Sequence, residues 1–188
     1  MKLGITLLAL GAFALPALSY LRGQQAKEAS AKVGEKIPSF TAQAVSAIDS
    51  HAATLTTAYV VAGVKCGATP KYEKRLKALE DEFRAKGVDF VYVFPNSTET
   101  VDEKMAWVKK VGLRGPVVDD KGAKIAMALE CKNTCQAILV DKEGKIAYRG
   151  GIDDNPDESK VQRRHLAEAI KETLAGKAVT TTTSKVFG

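Results

Sequence analysis

The chain has 188 residues, 45% of them hydrophobic and 27% charged, with a formal net charge of +6. That leaves room for one domain with an ordinary core and excludes a disordered, collagenous or coiled-coil chain. The basic excess is scattered, apart from Lys71–Lys77 and Arg163–Arg164, which argues for a solvated helical face and against a nucleic-acid partner, since such partners require charge gathered on one surface.

Taken in chain order, the first signal is Lys2 followed by an apolar run from Leu3 to Leu18, broken only by Gly4, Thr6, Gly11 and Pro16. Small residues stand at the exit, Ala17-Leu18-Ser19. This pattern predicts a signal peptide over residues 1–19. The run is shorter than the ~20 residues a membrane span requires, and no Cys lies at its exit to carry a lipid. An uncleaved anchor is the alternative, and the only membrane contact anticipated. Either way the folded part is expected outside the cytoplasm, periplasmic or secreted, where disulfides persist. Residues 20–32 are polar and Ala-rich and read as a linker. The domain is expected over 33–177, opening at Val33-Gly34-Glu35-Lys36-Ile37-Pro38-Ser39-Phe40.

Tyr59-Val60-Val61-Ala62-Gly63 predicts a buried strand. Tyr72, Leu76, Leu79 and Phe83 then fall at helical spacing, with Gly87 as the stop. Phe90-Val91-Tyr92-Val93-Phe94 predicts a second buried strand closed by Pro95-Asn96. A helix is expected from about Val101 to Val111, with Met105, Val108 and Trp107 facing inward, ended by Gly112 and Gly115-Pro116. Val117-Val118 reads as a brief strand. A short helix carrying Ile125, Met127 and Leu129 leads to Cys131. Ala137–Val140 and Lys145–Tyr148 read as two strands of a hairpin turned by Asp141-Lys142-Glu143-Gly144. Leu166, Ile170 and Leu174 mark a last amphipathic helix closed by Gly176. The tail, 178–188, with four threonines from Thr180 to Thr183, is expected to be flexible. Strands joined through helices lie parallel, and the late hairpin adds an antiparallel edge. The expected class is α/β, a central mixed sheet flanked by helices, with the connectivity of a thioredoxin-like fold.

Three cysteines stand in the chain, Cys66, Cys131 and Cys135; an odd number outside the cytoplasm leaves one thiol free or paired elsewhere. Cys66 follows the first strand and precedes the first helix. Unpaired N–H groups and the positive end of the helix dipole favour a thiolate there. Thr69 and Pro70 suit a first helical turn. The alternative is a buried Cys acting as a small hydrophobe.

Val64-Lys65-Cys66-Gly67-Ala68-Thr69-Pro70-Lys71-Tyr72, with Gly87–Asn96 after the helix, resembles the thioredoxin-like redoxins related to the alkyl hydroperoxide reductase and thiol-specific antioxidant family. Ile138–Gly144 and Tyr148–Asp154 are similar to a segment of a secreted branch of that group. Cys66-Gly67-Ala68-Thr69-Pro70 and Phe94-Pro95-Asn96 also resemble glutathione peroxidases. Against a dithiol thioredoxin, Thr69 stands where the second Cys would be. Against a typical peroxiredoxin, Tyr59 and Gly63 replace its Pro and Thr. Against a glutathione peroxidase, no Gln directly follows Asn96 and no Trp-Asn pair stands before Ile138. The resemblance further puts Cys135, after Thr134, at the position of the fold's cis-proline, beside the active Cys and within disulfide reach.

The resemblance therefore implies a thiol-disulfide oxidoreductase or thiol peroxidase, an antioxidant, with Cys66 as attacking thiol, Thr69 beside it, and Cys135 or Cys131 as resolving thiol. A structural Cys131–Cys135 bridge with Cys66 unpaired is the competing arrangement. No cofactor motif is present, so an external thiol or disulfide reductant is expected, with a peroxide or protein disulfide as substrate. Two other classes remain open. Three converging thiolates suit copper(I) or zinc, although no standard metal spacing is present and His51 and His165 lie far from the cysteines in sequence. A catalytically silent binding domain is the last reading. Asp153 and Asp154 are expected to shape a loop rather than act as paired acids.

Overall fold

The computed structural model describes residues 32–38, 40–42, 48–49 and 55–188; the expected signal peptide, nearly all of the linker and His51 lie outside them. The β-branched and aromatic run Thr56–Val61 forms a strand (β1) buried at all six positions. Val88–Phe94 forms β2, buried except at Asp89. Strands buried on both faces belong in the middle of a covered sheet, and β1 and β2 pair in parallel there. Val117–Asp119 (β3) adds in parallel to β2. Gln136–Val140 (β4) lies antiparallel beside β1, and Ile146–Gly151 (β5) antiparallel beside β4. The order across the sheet is β3-β2-β1-β4-β5, a mixed sheet of the expected α/β kind. A small antiparallel pair, Thr41–Ala42 with Ile48–Asp49, stands apart from it.

Among the described residues four α-helices connect and cover these strands: α1 (Glu73–Arg84), α2 (Val101–Val111), α3 (Lys124–Ala128) and α4 (His165–Leu174). Alternation along the strands divides the core in two. Ala58, Val60, Phe90, Tyr92 and Leu139 face Leu76, Leu79 and Phe83 of α1 and Leu166 and Ile170 of α4. Tyr59, Val61, Val91, Val93 and Ile138 face Ile125 and Leu129 on the other side. Trp107 and Val108 point inward as expected, but Met105 does not; it is 37% exposed, and Met127 on α3 is 49% exposed. The inward stripe of α2 is Lys104, Trp107 and Val108, and Met105 sits a helical step away from it.

The tail also departs from expectation. Thr182 and Thr183 are docked along the outer edge of β5, where the Arg149 N–H donates to Thr182 O at 2.9 Å and Arg149 bridges Thr183 in parallel. An edge strand carries a row of unpaired main-chain groups, and the polar tail meets them. Thr180 donates through both N–H and hydroxyl to Glu172. Ser184 Oγ stands 2.5 Å from Tyr148 Oη and accepts from Gly151 N–H.

Candidate functional site

β1 and β4 are antiparallel, with Val60 opposite Ala137, so the end of β1 meets the beginning of β4. That pairing carries the loops holding Cys66 and Cys135 to one corner. The Cys135 N–H donates to Val61 O at 2.7 Å, and Cys135 takes the corner in the left-handed region, at φ 58°. A side-chain-bearing residue there costs roughly 1–2 kcal/mol. Among the described residues no peptide bond is cis.

The turn bearing Cys66 is built on Gly63. Cys66 N–H donates to Gly63 O at 3.2 Å. A methyl group on Gly63 would stand 3.2 Å from Thr134 Cγ2, 3.4 Å from Cys66 Cβ and 3.5 Å from Glu99 Oε1, so three side chains converge over this bare position. Glu99, 5% exposed, accepts from Lys65 N–H at 2.9 Å and from Asn96 Nδ2 at 3.0 Å. Its Oε2 is buried with no hydrogen-bond partner among the described residues. Lys65 Nζ reaches Thr98 O and Glu103 on the outside of the same turn.

Cys66 Sγ lies 2.9 Å from Thr134 Oγ1 and accepts from Ala68 N–H at 3.4 Å. Its partial burial pushes the thiol up. The Thr134 hydroxyl, the N–H groups of Ala68 and Thr69 and the Thr69 hydroxyl together outweigh that, and the thiol is held below its ordinary value. The expected helix start is thereby sharpened: a short 3-10 turn, Thr69–Tyr72, intervenes before α1, and local donors rather than a long helix dipole face the sulfur.

Thr69 is buried and its Oγ1 stands 3.9 Å from Cys135 Sγ. Cys135, 3% exposed, has its thiol pushed up to about 11, chiefly by burial. Of the sequence-predicted site residues, then, Cys66, Thr69 and Cys135 come together. Cys131 does not join them. It packs against the opposite core, its Sγ 3.7 Å from Leu129 O, and burial pushes its thiol to about 12. All three cysteines are free thiols. Among the described residues no group of three or more His, Cys, Asp or Glu side chains is placed to hold a metal ion. Asp153 shapes structure: it receives Arg75 at 2.7 Å in a buried pair.

Sequence reasoning missed Thr134 and Glu99 as parts of this site. Thr134 had a signal, its place before Cys135. Glu99 had none, because its role depends on a contact across 34 positions.

A protein-family model described as Redoxin matches residues 32–164. No match is found among curated proteins. Among solved structures the chain is similar to a hypothetical protein of Sinorhizobium meliloti 1021, with a TM-score of 0.76 and 22% identity over 85% of this chain and 93% of that one. It is similar to an uncharacterized conserved protein of Geobacillus kaustophilus at a TM-score of 0.75 and 18% identity, covering 82% and 88%. A secreted disulfide oxidoreductase of Mycobacterium tuberculosis, homologous to E. coli DsbE, is similar at a TM-score of 0.52 and 14% identity, covering 57% and 80%. At these identities the likeness is one of thioredoxin-like fold.

Proposed function

This chain belongs to the Redoxin family, and from that premise we propose that it is an extracytoplasmic thiol-disulfide oxidoreductase using Cys66 and Cys135. The observation that carries the reading is the pair of threonines between the sulfurs. Thr134 holds Cys66 at 2.9 Å while Thr69 contacts Cys135 and helps keep Cys66 low. The two thiols are thereby given different tasks. Cys66, the more acidic, is the attacking thiolate; Cys135, protonated at rest, is the resolving thiol.

Cys66 thiolate attacks one sulfur of a substrate disulfide. The Cys66–substrate bond forms, the substrate S–S bond breaks, and the departing thiolate takes a proton. Cys135 then loses its proton and attacks Cys66 Sγ, expelling the second substrate thiolate. The substrate gains two electrons and the protein is left with a Cys66–Cys135 disulfide. An external dithiol returns the electrons by the reverse exchange. Residues 1–19 supply the export signal in this reading, and a secreted neighbour of the same fold supports the compartment.

The test is a thiol count by mass spectrometry on the purified protein before and after a protein disulfide, a peroxide and a dithiol reductant. A reversible Cys66–Cys135 bridge formed on the protein disulfide, and lost in Cys66→Ser, is the expected result. A Cys66 whose oxidation state never changes sinks the proposal. Oxidation by peroxide alone moves the activity to that of a thiol peroxidase.

A further inference from the structure

The docked tail reaches the site. From Thr183 the chain leaves the edge of β5 and crosses Gly150 and Gly151. A side chain on Gly150 would stand 2.5 Å from Ser184 Oγ and 2.6 Å from Ser184 N, and one on Gly151 would overlap Lys185 O. Two adjacent bare residues therefore form a cradle fitted to a crossing backbone. Phe187 then packs against the core formed with α1 and α4, with Lys185 Nζ 4.9 Å above its ring. Gly188 lies against Thr134 so closely that a Cβ on it would overlap the Thr134 carbonyl oxygen and come within 3.0 Å of Thr134 Oγ1. That oxygen is the one holding Cys66 Sγ.

We propose that residues 184–188 are an internal strap that covers the main chain of Gly150, Gly151 and Thr134 beside Cys66 and must lift before a polypeptide disulfide can dock. The inference rests on the thiol-disulfide reading above and adds to it a substrate class and a control. The chain itself supplies an occupant: residues 184–188 seat there through Ser184, Phe187 and Gly188, and a polypeptide substrate presents the same backbone chemistry. The strap is also built to release. Of its residues Lys185 and Gly188 are exposed, and Phe187 is its only ring. A segment that withholds a site reduces apparent reactivity by the fraction of time the site is open.

The test compares three forms of the full protein: unchanged, ending after Thr183, and Gly151→Val with every strap residue retained. The readout is the rate of Cys66 alkylation by iodoacetamide and by a maleimide carried on a peptide, with folding checked by urea unfolding. Both altered forms are expected to react about tenfold faster with the peptide reagent. Adding a free peptide of the sequence 180–188 is expected to slow the shortened form again. Unchanged rates in a folded variant overturn the proposal. If the shortened form fails to fold, Gly151→Val decides alone. Because alkylation needs no turnover, gated alkylation without disulfide exchange sinks only the proposed activity. Exchange with ungated alkylation sinks only the strap.

Discussion

Burial and local donors together distinguish the two thiols of this corner, and the donor nearest Cys66 is one hydroxyl. Thr134 Oγ1 at 2.9 Å from Cys66 Sγ can donate to a thiolate, and a hydrogen bond to a charged group contributes about 1.5–3 kcal/mol. Thr134→Val is expected to raise the Cys66 pKa and slow its alkylation at pH 7 by about tenfold. Thr134→Ser, which keeps the hydroxyl, should restore the rate, and a pH profile of alkylation reads both. At this scale Cys66 and Thr69 were legible from the local motif, and Cys135 from the register of the resemblance. What stayed hidden was Thr134 as the ligand of the sulfur and Glu99 as the anchor of Lys65 N–H. Each depends on residues brought together by strand pairing rather than by spacing along the chain.

Elements carry their own test in the pair that joins α1 to the loop before α4. Arg75 donates to Asp153, to Asn155 O, to Pro156 O and to Lys71 O, and both partners are buried. Arg75→Met leaves Asp153 buried and unpaired, a change that typically costs about 3–5 kcal/mol. Urea unfolding should show that loss, and Arg75→Met with Asp153→Leu should recover much of it. Most of the element order was readable from sequence because β1, β2 and α1 have unbroken apolar patterns. Met105 misled because α2 buries the stripe Lys104, Trp107 and Val108, in which a methionine is not needed. The threonine-rich tail misled because composition says nothing of an open sheet edge waiting to be paired.

For the molecule as a whole, buried thiols and phenols set the alkaline limit of stability. Burial pushes Cys135 to about 11 and Cys131 to about 12, from 9.0, and pushes Tyr72 and Tyr148 to about 12 from 10.0. Between pH 9 and those values the unfolded chain has released protons that the folded chain retains. The stability these groups contribute is therefore complete below pH 9 and lost as pH rises through 11 to 12. Cys66, held low, acts in the opposite sense, and its contribution is complete above pH 9 and lost as pH falls through its folded value. The unfolding free energy should fall between pH 9 and 11, with a slope on the order of 1.4 kcal/mol per pH unit for each buried thiol. Cys131→Ala should flatten that slope.

The division of the core between two faces of the sheet also bears on how the chain is made. Cys131 and Cys135 pack on opposite sides of it, yet only four positions separate them, and in the unfolded chain short loops close most readily. An oxidant that meets the nascent chain first would join these two, locking together sulfurs that the finished sheet must hold apart. Docking of β4 would then wait on reshuffling, a process of seconds to hours. Refolding in oxidising buffer is expected to be slower for the natural chain than for Cys131→Ser, with no difference in reductant, as followed by tryptophan fluorescence from Trp107. Maturation therefore depends on the order of events, with assembly of the sheet preceding the first oxidation.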